Sequence, residues 1–173
     1  MKITDGTVHV FTYKDGVLSR LGHDIRLSLS GFEVEVDGER VDGRFRTTGM
    51  VVDGAIRGGR LDADTFSAKD LRDIRDNIDD KVLHTRRHPE ARYTGTVRDD
   101  GDRVVVRGTL HLVGRSRAVE VVARREGGRL KGKVELTPTR WGIKPFKALL
   151  GSIRIQDRVD VQIDLPDPFG EQA

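Results

Sequence analysis

A strict alternation of apolar and polar residues in the second half of the chain limits its fold more than any other feature. The alternation is found in residues 103–112, 129–136 and 158–165. In the last of these, every second residue from Val159 to Leu165 is apolar, and the residues between them are polar or charged. Successive side chains of a β-strand point to opposite faces, so this pattern predicts strands with one dry and one wet face, as in antiparallel sheets.

Short segments containing glycine separate these strands and predict hairpins between sequence neighbours. They lie at residues 99–102, 113–116 and 126–128. Such tight connections join adjacent antiparallel strands, and about eight such strands close into an up-and-down barrel because closure removes the exposed edges. The sequence therefore predicts an all-β fold, an antiparallel barrel of about eight strands. A barrel filled by its own side chains and a two-sheet sandwich are the alternatives on the same pattern.

The first half of the chain repeats the alternation less regularly. Its candidate strands are residues 7–13, 17–21, 25–36 and 41–52. Within the third of these, the apolar positions slip by one residue at Ser30-Gly31, which turns the opposite face of the strand inward. A bulge or a sharp bend is expected at that point.

One segment has helical periodicity instead. Between Ser67 and Val82, four apolar residues recur at steps of three and four positions, beginning at Leu71. This spacing predicts an amphipathic helix over residues 67–82, with Ser67 as N-cap and Asp70 completing a capping box. A proline that suits a first turn predicts a second, short helical turn over residues 145–150.

Composition excludes several classes of function. The 173 residues include 31 Lys and Arg against 28 Asp and Glu, and the two signs interleave along the sequence, which argues against a nucleic-acid surface. The absence of cysteine excludes disulfides, thiolate metal sites and a cysteine nucleophile. Without an apolar run of about 18 residues or a signal-peptide pattern, no integral membrane segment and a cytoplasmic location are expected. We expect one domain over residues 1–173, with its core at about 6–165 and a loose tail at 166–173.

The inward face of the predicted barrel is apolar but thinly filled. It consists mostly of valine, glycines interrupt it, and the chain has only nine aromatic residues to fill the centre. A barrel of eight strands either is filled by side chains or holds one small ligand, so this face predicts a pocket for a lipophilic molecule. An apolar cluster is expected to close one end of the barrel or to line its mouth, and it consists of Trp141, Phe146, Leu149, Leu150 and Ile153. The residues expected to contact the ligand are Phe45, Tyr93, Val104, Val106, Leu110, Leu112, Val119, Val121, Leu130, Val134, Leu136, Trp141, Phe146, Leu150, Ile153, Ile155, Val161 and Ile163.

Three segments, residues 108–117, 82–93 and 141–146, resemble sequences of the YceI-like family. The resemblance extends over nearly the whole chain, and the Gly22-His23-Asp24 start is similar to that of the family's leaderless subset. It implies a lipocalin-like barrel that binds a long lipophilic ligand, such as a polyisoprenoid or an isoprenoid quinone, for carriage, storage or sensing. It also implies no catalytic residue and no cofactor other than such a bound lipid, and it allows a homodimer.

Four polar residues form a second candidate group: His23, Asp24, His84 and His88. The spacing of His84 and His88 would place both rings on one face of a helix, as metal sites require, whereas Pro89 favours an extended backbone at His88. Three interpretations stay open: hydrogen bonds at the corner between helix and strand, polar contacts with a ligand head group, and a metal- or histidine-dependent enzyme. No metal is assigned, and the sequence has neither a nucleophile elbow nor a phosphate-binding glycine loop.

Overall fold

The alternating segments form strands whose bounds follow the pattern closely. A computed structural model describes residues 1–15, 22–148 and 153–170, and every strand pair in it is antiparallel. The candidate strand at 17–21 lies outside these residues. The strands are β1 (Lys2–Ile3), β2 (Thr7–Lys14), β3 (Asp24–Ser28), β4 (Phe32–Asp37), β5 (Arg40–Arg46), β6 (Val51–Arg57), β7 (Arg60–Asp62), β8 (Glu90–Asp99), β9 (Arg103–Leu112), β10 (Arg115–Glu126), β11 (Arg129–Leu136), β12 (Lys147–Ala148) and β13 (Ile153–Pro166).

The long strands from β8 onward pair mostly with their sequence neighbours, as the hairpin prediction requires. The strand order is β1-β4-β5-β8-β9-β10-β11-β13-β2-β3-β6-β7, and β12 pairs with β13. The β9–β10 connection is a two-residue turn in which Val113 and Gly114 have φ of 48° and 75°. Positive φ at both central residues gives the turn that matches the twist of the flanking strands.

A bent hairpin made of β3 to β6 joins the two ends of this strand order. At the base of this hairpin, β3 pairs with β6, and β3 also pairs with β2. In its outer part, β4 pairs with β5, and β5 also pairs with β8. The slip expected at Ser30-Gly31 is confirmed as the bend between β3 and β4. The sheet therefore curls around one interior, and the all-β barrel prediction is confirmed.

The strand count exceeds the predicted eight for two reasons. Three of the thirteen strands in the described residues, β1, β7 and β12, have only two or three residues. In addition, β3 with β4 and β5 with β6 are the halves of two bent strands. Eight long strands remain when the halves are joined, so the difference comes from bends and short edge pairings that alternation alone does not reveal.

The predicted amphipathic helix is confirmed. Helix α1 (Ala68–Asn77) begins at the N-cap Ser67, whose side chain and that of Asp70 form both hydrogen bonds of a capping box. A π-helical turn (Ile78–Val82) continues it. The apolar face packs on Leu27, Met50 and Val52 of the bent hairpin and its turn. No helix of the described residues is long and apolar enough to cross a membrane.

The prediction of a second helical turn over residues 145–150 is wrong. Within residues 145–148, Lys147 and Ala148 form β12 and pair with β13, while 149 and 150 lie outside the described residues. A single turn of 3₁₀-helix forms earlier, at Pro138–Trp141. The proline that begins it is therefore Pro138, and Gly142 ends it with φ of 73°.

The chain beyond β13 is tied to the barrel up to residue 170, although this part was expected to belong to a loose tail. The Asp167 amide donates to the carbonyl of Gly128 at 3.0 Å, and its carboxylate accepts from Arg125 Nε at 2.7 Å. Phe169 packs against the apolar cluster at this end of the barrel.

Candidate functional site

An apolar cavity of about 330 Å³ occupies the interior of the barrel. This volume lies near the lower end of the range for small-molecule sites, roughly 300–1,000 Å³. None of the described residues that line it carries a formal charge. The alternation explains this composition, because one face of each strand is apolar and that face points inward.

Most residues expected to contact a ligand line this cavity. The structure brings together residues of β5, β8, β9, β10, β11 and β13 with the one tryptophan of the chain. Those lining the cavity are Phe45, Tyr93, Val104, Val106, Leu110, Leu112, Val119, Val121, Leu130, Val134, Leu136, Trp141, Val161 and Ile163.

Phe146, Ile153 and Ile155 do not line the cavity, which corrects the expectation for them. The register between β13 and β2 shifts between Ile155 and Val159, so the inward phase of β13 does not extend back through the irregularity. Ile153 pairs instead with Ala148 of β12, and the Ile155 amide donates to the carbonyl of Phe146 at 3.1 Å. Leu150, also expected at the site, lies outside the described residues.

The sequence reasoning missed the lining residues contributed by the first half and by the segments at the two ends of the barrel. The apolar face of the helix was a usable signal for some of them, since an amphipathic helix must cover apolar surface. The missed residues include Val8, Val10, Leu27, Leu29, Val34, Met50, Ile78, Val82, Leu83, Ile143, Pro168 and Phe169.

Tyr93 lies across the interior and binds the backbone of two other strands. Its hydroxyl donates to the carbonyl of Val119 at 2.8 Å, and the carbonyl oxygen of Val106 lies 3.2 Å from the same hydroxyl. The ring fits because Gly108 has no side chain: a Cβ there would lie 2.8 Å from the tyrosine ring. The glycine thus makes room for an aromatic ring rather than leaving empty space. Burial raises the pKa of Tyr93 to about 12.

Trp141 closes one end of the cavity and also lines it. The side chain is 1% exposed and packs with Leu136 and Ile143. Its Nε1 donates to the carbonyl of Leu110 at 3.0 Å, and the guanidinium of Arg140 lies 5.2 Å from the ring centre. The expected partners Phe146 and Ile153 are not in this cluster.

Three of the four polar side chains among the described lining residues donate to backbone carbonyls, and the fourth is Thr12. Thr47, which also lines the cavity, donates its hydroxyl to the carbonyl of His88 at 2.5 Å. Tyr93 and Trp141 likewise donate their side-chain hydrogens to backbone carbonyls of the barrel. The cavity therefore offers hydrocarbon contacts to a ligand, with none of these three donors free.

The four polar residues of the second candidate group contact different partners. His23 packs edge-on against Phe66 at 5.4 Å between ring centres. The Asp24 carboxylate accepts from the Lys14 amide at 2.9 Å. His84 and His88 lie beyond the helix, because the π-helical turn ends at Val82 and His84 has a φ of 48°; a turn between them is closed by the His88 amide, which donates to the carbonyl of His84 at 3.0 Å. Within the described ranges, no three His, Asp or Glu side chains form a group able to hold a metal ion.

A buried carboxylate lies on the outer face of β13. Asp160 is fully buried beneath Tyr13, Arg158 and Lys133, with Arg158 Nη2 at 3.0 Å and Lys133 Nζ at 3.2 Å. Tyr13 donates its hydroxyl to the same carboxylate. Burial raises the pKa of Asp160, but these three hydrogen bonds outweigh it and hold the pKa below its usual value.

We expect both tyrosines to stay neutral in the folded protein at pH 10, the usual pKa of a tyrosine phenol. Burial, with the hydrogen bond to Asp160, raises the pKa of Tyr13 to about 12, and burial raises that of Tyr93 equally. A folded-state pKa above the ordinary 10 means that both neutral phenols stabilise the fold fully below pH 10, and that this contribution is lost as the pH rises from 10 towards 12.

The ultraviolet absorbance of phenolate checks this, because the chain has only two tyrosines. In native buffer both should titrate near pH 12, and in urea both should titrate near pH 10. A native titration in which half of the signal develops near pH 10 contradicts the burial of one phenol.

Comparison with known proteins gives a family and a fold. A family model described as the YceI-like domain matches residues 19–166. The crystal structure of Burkholderia cenocepacia BcnA superposes with a TM-score of 0.62 at 12% identity, over 92% of this chain and 94% of that chain. A mutant CJ YCEI protein with a monobromobimane guest superposes with a TM-score of 0.50 at 8% identity, over 82% and 84%. At such identities the likeness shows the fold alone. No curated protein matches the sequence.

Proposed function

The chain belongs to the YceI-like domain family, and on that premise we propose that it binds a long lipophilic molecule inside the barrel. A polyisoprenoid, an isoprenoid quinone or a similar lipid is the class of ligand. One observation carries the proposal: the cavity of about 330 Å³ is lined by residues without formal charge, and the donors of Tyr93, Trp141 and Thr47 are bound to backbone carbonyls.

The physical reason is the transfer of hydrocarbon out of water. Each buried methylene contributes about 0.8 kcal/mol, so a long apolar chain gains affinity without any polar contact. A polar ligand would leave most of its own hydrogen bonds unmade in this cavity, which is costly. The cavity therefore selects for a chain of carbon and hydrogen. Carriage, storage and sensing are all served by such binding, and none requires a further cofactor.

Native mass spectrometry of the purified protein tests the proposal. We expect either a co-purified lipid or uptake from a panel of isoprenoid alcohols and isoprenoid quinones of graded chain length. Water-soluble analogues with the same head groups and no chain serve as the control and should not bind. A protein that carries no lipid and takes up none of the panel overturns the proposal.

A further inference from the structure

Three connections at one end of the barrel carry cations and no carboxylate. We call this the basic end and define it as residues 83–89, 113–117 and 137–148. The antiparallel order of β8, β9, β10 and β11 places all three segments at the same end. All of its cations are exposed, and they are Arg86, Arg87, Arg115, Arg117, Arg140, Lys144 and Lys147.

Direct contacts hold the three segments together. The imidazole of His88 lies beside Gly114, and the guanidinium of Arg115 lies beside Gly142. Arg140 Nη2 donates to the carbonyl of Ala118 at 3.3 Å. The cations therefore form one continuous patch rather than three separate ones.

The opposite end has the reverse charge. We call it the acidic end and define it as residues 37–40, 99–103, 126–129 and 164–168, which contain eight carboxylates and three cations. Arg125, in the adjacent part of β10, is paired there with both Asp99 and Asp167. The barrel therefore has a basic and an acidic end, although its net charge is only +3.

The cations of the basic end are not neutralised by neighbours. None of the seven forms an ion pair with any residue that the structure describes. Two carboxylates beside these segments are occupied by hydroxyls: Asp79 accepts from Thr85 at 2.9 Å and Asp157 from Thr139 at 2.5 Å. Other carboxylates lie outside the three segments: Glu90 begins β8, and Asp24 accepts from the Lys14 amide at the end of β2. The flanking helix α1 carries both signs of charge.

We propose that the basic end docks the barrel on the surface of an anionic lipid bilayer. Cations near such a surface are attracted by its potential, and the acidic end is repelled, so the charge separation also orients the barrel. The choice of a lipid surface rests on the proposed function. Leu83, Trp141 and Ile143 cap the cavity at this same end, so a lipid exchanged there passes between the cavity and the bilayer without crossing open water.

Vesicle sedimentation of the full chain tests the docking. The probes are vesicles of phosphatidylcholine alone and of phosphatidylcholine mixed with phosphatidylglycerol. We expect binding only to the mixed vesicles, strongest at low ionic strength and progressively weaker as added salt shortens the Debye length, which is about 8 Å at physiological strength. The triple variant Arg86→Gln, Arg87→Gln, Lys144→Gln should reduce the partition coefficient on the order of a hundredfold, since each cation near the surface adds severalfold.

A matched variant removes three cations near the other end. Arg40→Gln, Arg103→Gln, Arg124→Gln lowers the net charge by the same amount and should bind the mixed vesicles nearly as the unchanged protein does. Equal loss in both triple variants, or no binding of the unchanged protein to the mixed vesicles, overturns the docking proposal. Tighter binding to a DNA duplex than to the mixed vesicles, lost in the first variant, overturns the assignment of the partner. Uptake of an isoprenoid quinone, measured on the same samples, separates failed docking from failure of the cavity proposal.

Discussion

Val121→Arg is expected to abolish lipid uptake and to lower the free energy of unfolding by about 3 kcal/mol or more. Val121 lines the cavity, where no described residue has a charge to pair with a guanidinium. A buried charge without a partner loses its hydration and gains nothing in return. The arginine would also occupy the volume that the ligand needs. Urea unfolding measures the first effect and native mass spectrometry the second.

The next residue in β10 supplies the control. Val122 carries the same side chain, points to the outer face and is 37% exposed. Val122→Arg should therefore change stability by no more than about 0.5 kcal/mol, as is usual for surface positions, and should leave uptake intact. If Val122→Arg abolished uptake and Val121→Arg were tolerated, the inner and outer faces of the sheet would be exchanged.

Trp141→Ala is expected to destabilise the protein by about 3–5 kcal/mol, the usual cost of removing a buried aromatic ring. The indole is 1% exposed, packs with Leu136 and Ile143, and closes the end of the cavity. Trp141→Phe keeps most of the packing and removes the hydrogen bond to the carbonyl of Leu110, so it should cost much less. Unfolding is followed by circular dichroism, because the chain has one tryptophan and both variants lose its fluorescence. A loss below 1 kcal/mol in Trp141→Ala would show that this end of the barrel is not held by the indole.

The second half of the fold was predictable because each strand there has one dry and one wet face. In β9, β11 and most of β13, period-two alternation set both the strand bounds and the inward side chains. The helix was predictable for a similar reason, since its N-cap and its apolar spacing are both local. Local rules work where the neighbours of a residue in sequence decide its environment.

Features that depend on distant pairing were not predictable. The failure at Ile155 comes from a register shift against β2, a strand that lies far away in sequence. Gly108 is one of the glycines that interrupt the thinly filled inner face, but the ring of Tyr93 from the neighbouring strand occupies the space beside it. The positions of His23 and His84 also depend on how the helix and the bent hairpin pack, which no spacing in the sequence specifies.

The separation of charge between the two ends of the barrel was also not predictable from the sequence. Along the sequence, acidic and basic residues interleave, which argued against a nucleic-acid surface. An antiparallel sheet places successive connections at opposite ends, so connections that alternate in sign along the chain become separated in space. A basic and an acidic end therefore arise from a sequence whose charges look evenly mixed.

The pairing of β13 with β2 determines when the barrel can first close during synthesis. Tyr13 and Asp160, in contact across this pair, are 147 residues apart in the chain. Until β13 has left the ribosome, β2 and β11 each lack one of their two partner strands. The apolar inner face is then open to water. Long-range strand pairing of this kind is slow and exposes aggregation-prone surface. The edges of β2 and β11 therefore stay unpaired in the nascent chain until its last long strand is made.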